Sequence, residues 1–225
     1  MSETIVYRFF AKDEKPIDVP LTFRDDTFEL VMDSADGPDW ARLEFNKCAN
    51  CTLTSAKFCP SALGLSTFLP RFATKVSHEK TVVEVDMATR TIVSKTDFQA
   101  AMASLIGLVC ATSGCPRTRF LRPMARFHLP FATDRETVFR ALAANLLAQY
   151  VAAKVAGREA NFSLDQLKEA YGELSVVNSA LAERLRSVAK RDAVLNAVII
   201  LDLFAQIAPE NIDGGFEDIL GCFIT

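Results

Sequence analysis

The chain has 225 residues, half of them apolar and 24% charged, with a formal charge of -3 and a pI near 5.5. This composition excludes a disordered, collagenous or fibrous chain, and the length suffices for one large domain or two small ones. The acidic balance argues against a dedicated nucleic-acid binder, which usually carries a basic domain.

The start, Met1-Ser2-Glu3-Thr4, lacks the basic residues and apolar run of a secretory signal. Of the two most apolar stretches, 100–112 is too short to cross a bilayer. The other, 194–208, is interrupted by Asn196, Asp202 and Gln206. A cytoplasmic protein without a membrane span is the expectation. Three structural disulfides among its six cysteines are then not expected.

Strand signals fill the first hundred residues. Segments 4–10, 17–23 and 27–33 are short and rich in β-formers, with Asp25-Asp26 suited to a hairpin turn between the last two. After the loop Asp36-Gly37-Pro38-Asp39, residues 40–45 alternate Trp, Arg and Glu with Ala, Leu and Phe, as a half-buried strand does. Segments 81–85 and 91–93 form a further hairpin. No helix-sized crossover separates the early strands, which predicts a mostly antiparallel sheet.

Beyond residue 96 the period turns helical. Capping-box patterns at Thr96 with Gln99, Thr133 with Glu136 and Ser163 with Gln166 predict three helix starts. The first of these helices, 97–113, is full of small residues, so neighbours approach its backbone closely. The second presents Phe139, Leu142, Leu146 and Tyr150 and stops near Gly157; the third presents Leu167, Tyr171, Leu174, Leu181 and Leu185. In the last helix, 192–208, Asp192, Asn196, Asp202 and Gln206 make one narrow polar stripe. It is a core helix or one that buries a second face in a homo-oligomer. The fold class is α+β: a sheet-rich part with the cysteine cluster, 1–95, packed on a C-terminal helical bundle, 96–225, in one compact domain.

Four cysteines stand out. Cys48 and Cys51 form a C-x2-C pair, Cys59 precedes Pro60, and Cys115 precedes Pro116 just past the small-residue helix. A C-x2-C turn aims two thiolates at one ion, and a tetrahedral site needs two more ligands, for which Cys59 and Cys115 are best placed. Zinc is the expected occupant. An iron–sulfur cluster, a redox pair and plain unliganded thiols remain alternatives. Proline at a first helical position would make Cys59 a helix cap, and N–H groups there lower a thiol's pKa.

Segment 98–133 contains no aspartate, glutamate or lysine but carries Arg117, Arg119, Arg122, Arg126 and His128, leaving about -7 on the rest of the chain. Guanidinium groups suit carboxylate or phosphate, so these residues are candidates for binding an anionic small molecule or a protein partner. An equal alternative is that they bond the acidic N-terminal part and join the two halves. No phosphate loop, dinucleotide fingerprint, cysteine-phosphatase spacing or serine-hydrolase elbow is present.

The run Ser113-Gly114-Cys115-Pro116-Arg117, followed by the 122–131 segment Arg-Pro-Met-Ala-Arg-Phe-His-Leu-Pro-Phe, together with the upstream C-x2-C and Cys59-Pro60, resembles a group of uncharacterised bacterial proteins described only as a domain of unknown function. The resemblance runs from about Cys48 to the last helix. It implies a bacterial cytoplasmic origin and carries over no residue roles. The expectation is a non-catalytic regulatory or ligand-sensing protein with a structural metal site. A thiol-redox or metal-dependent enzyme using the same residues is the alternative.

Overall fold

A computed structural model describes residues 2–32, 36–214 and 222–223. Four strands, β1 (Ser2–Phe10), β2 (Ile17–Arg24), β3 (Lys80–Met87) and β4 (Arg90–Asp97), form one antiparallel sheet in the order β2-β1-β3-β4. The described helices are α1 (Pro60–Ser66), α2 (Phe98–Thr112), α3 (Arg122–Arg126), α4 (Asp134–Val155), α5 (Asp165–Arg186) and α6 (Ala193–Gly214). The arrangement is α+β, as the change of period predicts.

Alternation fixes which sheet face is covered. Ile5, Tyr7, Phe9, Val19, Leu21, Phe23, Val83 and Val85 are buried, while the intervening residues face outward. Against this face lies α2, with Phe98, Ala101, Met102, Leu105, Ile106 and Val109 buried. Its small residues do admit close neighbours. A Cβ on Gly107 would meet Leu201 of α6 at 3.6 Å, and one on Gly64 of α1 would come within 3.0 Å of Val109. A second cluster joins Val138, Ala141 and Leu142 of α4 to Leu167, Tyr171, Leu174 and Val177 of α5 and Ala205, Ala208 and Ile212 of α6.

Several local expectations are corrected. Segment 27–33, whose Asp33 lies outside the described residues, makes only one bridge, Phe23 to Leu30. The backbone turns at Phe28 (φ +54°), whose ring stacks on Phe23 at 4.5 Å, and the Leu30 N–H leaves the sheet to bond the Thr112 carbonyl at the end of α2. Residues 40–45 are not a strand. Pro38 and Asp39 start a 3-10 turn (Asp39–Ala41), which brings Trp40 inside with Ala41 and Leu43.

Helix starts shift as well. Thr96 is still paired with Thr81 in the sheet, so Asp97 caps α2 by accepting from the Ala100 N–H. The capping box at Thr133 and Glu136 is complete. Ser163 accepts instead from the N–H of Asp165, at 3.2 Å. On α4, Val138, Ala141 and Leu142 face the core, whereas Phe139 and Tyr150 are exposed, because only α3 and α6 pack substantially on this helix. The five expected residues of α5 are all buried.

Helix α6 buries one face and exposes another. Ala193, Val194, Ala197, Val198, Ala205 and Ala208 are enclosed, and Ile199, Ile200, Leu203 and Ile207 are exposed. Its first 18 residues are long and apolar enough to cross a membrane, with mean hydropathy 1.5. Asp202, however, accepts from the Ser175 hydroxyl of α5 at 2.8 Å.

Candidate metal centre

Three separated pieces of chain bring the cysteines together. The Cys51 N–H bonds the Cys48 carbonyl at 3.0 Å and closes the C-x2-C turn. Cys59 caps α1, with Pro60 at its first turn and its own N–H on the Ala41 carbonyl at 2.8 Å. Cys115 follows the end of α2, past Gly114 at φ +90°, and its carbonyl accepts from the Thr118 N–H. All four line one cavity of about 20 Å³, walled by Val177 and Leu181 of α5 and flanked by Arg117 and Arg184. Cys48 packs on the second core cluster and Cys59 on the first, so the cavity lies on the seam between them.

Among the described residues no three His, Cys, Asp or Glu side chains stand close enough to hold an ion as they are placed. Burial pushes the Cys48 thiol up to about 11, with Cys59, Cys115 and Cys51 adding to the rise and Arg184 opposing it. Cys59 is also raised. This corrects the expectation of a lowered thiol at a helix start, because burial outweighs the N–H groups of Ala62 and Ser61. Cys110, inside α2, is raised most, chiefly by burial, and Cys222 is exposed; neither lines the cavity.

Arg184 escaped the sequence reading. It lies three residues after Leu181 and seven after Val177, on the buried face of α5, and is 1% exposed. Its guanidinium donates to the carbonyls of Trp40 (2.9 Å), Arg42 (2.7 Å) and Leu43 (2.9 Å), and no described carboxylate pairs with it. A charged residue among the leucines of an amphipathic helix was the available signal.

Arg117 does reach the cysteines. Its Nε donates to the Asn50 carbonyl at 2.7 Å, inside the C-x2-C turn, and its Nη1 lies 3.4 Å from Glu173. The Asn50 amide in turn donates to the Glu173 carbonyl at 2.9 Å and to its carboxylate at 2.5 Å. Asn50, Arg117 and Glu173 thus clamp the Cys48–Cys51 turn and the Cys115 loop to α5.

The other cationic candidates lie elsewhere. Arg122 pairs with Glu29 at 2.9 Å. Arg126 donates to the Asp25 carbonyl at 2.7 Å and sits 5.3 Å over the Phe28 ring, while Arg119 is exposed. His128 places Nε2 2.5 Å from the Tyr7 hydroxyl, which also contacts Ser104 Oγ at 2.9 Å. The five side chains do not converge, and of them Arg117 alone adjoins the thiols.

A family model described as a domain of unknown function, DUF6901, matches residues 5–224. No curated protein and no solved structure matches the chain. With nearly its whole length covered by that one model, the chain belongs to the DUF6901 family.

Proposed function

We propose that the protein is a non-catalytic regulatory module of the bacterial cytoplasm, organised by one structural zinc ion bound to Cys48, Cys51, Cys59 and Cys115. The observation that carries this reading is that four cysteines, from residues 48–59 and from residue 115, line one cavity beside two guanidinium groups. Four sulfur ligands fill a tetrahedral zinc site and leave no position for substrate. That argues for a structural ion rather than a catalytic one.

Binding would displace the thiol protons and draw the ligands inward, so metal free energy becomes folding free energy. Arg117, Arg122 and Arg126 then serve the seam between the two halves rather than a free anion, and exposed Arg119 is left for a partner. The apolar exposed side of α6 is consistent with a homo-oligomer, which light scattering measures directly.

The test is metal content and thiol titration on anaerobically purified protein. The expected result is about one zinc per chain with four protected thiols. Cys51→Ser and Cys115→Ser should each lower the zinc content and the melting temperature, the latter by about 10 °C or more. Iron with sulfide, or no metal with all six thiols reactive after denaturation, refutes the zinc reading.

A further inference from the structure

Arg184 carries a charge it cannot shed. A guanidinium stays protonated in proteins, and this one is enclosed with three carbonyl oxygens as acceptors and no described carboxylate. Carbonyl dipoles solvate a cation but do not neutralise it, and an uncompensated buried charge is costly. Arg117, the other guanidinium at the cavity, already has Glu173 beside it. Arg184 lines the same cavity as the four thiols, which are the groups that metal binding would turn negative beside it.

Four thiolates around a divalent ion carry a net charge of about -2. We propose that Arg184 is the counter-cation of the tetrathiolate centre, a positioning residue that balances the metal-bound thiolates and transmits metal occupancy to the Trp40–Leu43 segment. This rests on the zinc reading above. The linkage is geometric: α5 walls the cavity with Val177 and Leu181, and Arg184 on the same face grips the three carbonyls just before the C-x2-C turn. In the metal-free chain the guanidinium has three hydrogen bonds and no described ion pair; in the loaded chain it would have a counter-charge as well.

The distinguishing measurement is zinc affinity, by chelator competition, together with melting of metal-free and zinc-loaded protein. Wild type is compared with Arg184→Met, Arg184→Lys and Arg184→Gln. Loss of the charge in Arg184→Met should weaken zinc binding at least about tenfold, as removal of outer partners of metal ligands does. Arg184→Lys should recover most of that loss, and Arg184→Gln, which keeps a donor but drops the charge, should not. Metal-free Arg184→Met should melt at or above the metal-free wild type, whereas a residue that only bonds three carbonyls would lower both forms equally. If Arg184→Met does not fold, the Lys and Gln pair decides. Equal zinc affinity in wild type and the neutral variants overturns this proposal and leaves the zinc site standing; a wild type that binds no zinc overturns both.

Discussion

Two basic side chains in different regions of this molecule, half-buried His128 and enclosed Arg184, meet burial in opposite ways. Beneath the sheet, His128 joins Tyr7 and Ser104, and Ser104 Oγ also accepts from the Phe131 N–H at 3.3 Å. Burial, with a smaller push from Arg140, lowers the His128 pKa to about 3, so the ring sits there neutral. At the seam, Arg184 has no neutral form to retreat to. An imidazole can give its proton back to water, and the site then needs only hydrogen bonds. A guanidinium keeps its charge, and here three carbonyl oxygens receive it. The counter-charge proposed above would complete that second site.

Acid should separate the two regions most sharply. Between about pH 6.5 and 3 the unfolded chain binds a proton at His128 that the folded chain refuses. The stability due to its neutral form is therefore whole above pH 6.5 and drains as pH falls toward 3. The slope reaches at most about 1.4 kcal/mol per pH unit. Urea unfolding at a series of pH values, on wild type and His128→Phe, reads this directly. An unchanged slope in the variant would place the acid sensitivity elsewhere, with the thiol centre the next suspect.

Packing offers a smaller contrast between the same regions. Beneath the sheet, Gly64→Val would press a side chain on Val109 and Leu30, whose atoms lie 3.0 and 3.2 Å from the position of a Cβ. A loss of about 1–3 kcal/mol in denaturant unfolding is expected, and a neutral result would mean that α1 and α2 can separate freely. On α5, Gly172 has nothing within 4 Å of that position, so Gly172→Ala should stabilise by about 0.5–1 kcal/mol through helix propensity alone. A destabilised Gly172→Ala would reveal a close neighbour on the outer side of α5.

Much of this could be read from residue order. The 80–97 hairpin and the inward face of α5 follow from periodicity, and α2 from its small residues, which let neighbours enclose it on most sides. Grouping of the four cysteines was legible from spacing and the two proline steps, and all four line one cavity. What escaped was governed by tertiary partners. Trp40 through Phe45 alternates like a strand, yet no neighbouring strand is there to pair with it beyond one bridge at Arg42 and Phe58. Asp97 caps α2 because the sheet holds Thr96, a contact across the β3–β4 hairpin that no local pattern records. Arg184 shares the Val177–Leu181 face of α5, a signal the periodicity did carry, but its partners, carbonyls some 140 residues away, come only from the fold.

That separation along the chain also sets an order of events during synthesis. Cys48, Cys51 and Cys59 are made together, but Cys115 comes 56 residues after Cys59 and Arg184 another 69 later. At about 5–20 residues per second, three thiols wait about 3–11 s for the fourth and again about as long for the guanidinium. Throughout that interval they are open to oxidation, to stray metal ions and to one another, with the wall of α5 not yet built. Completion of the cysteine-lined cavity is thus a late step of biogenesis, timed by the ribosome.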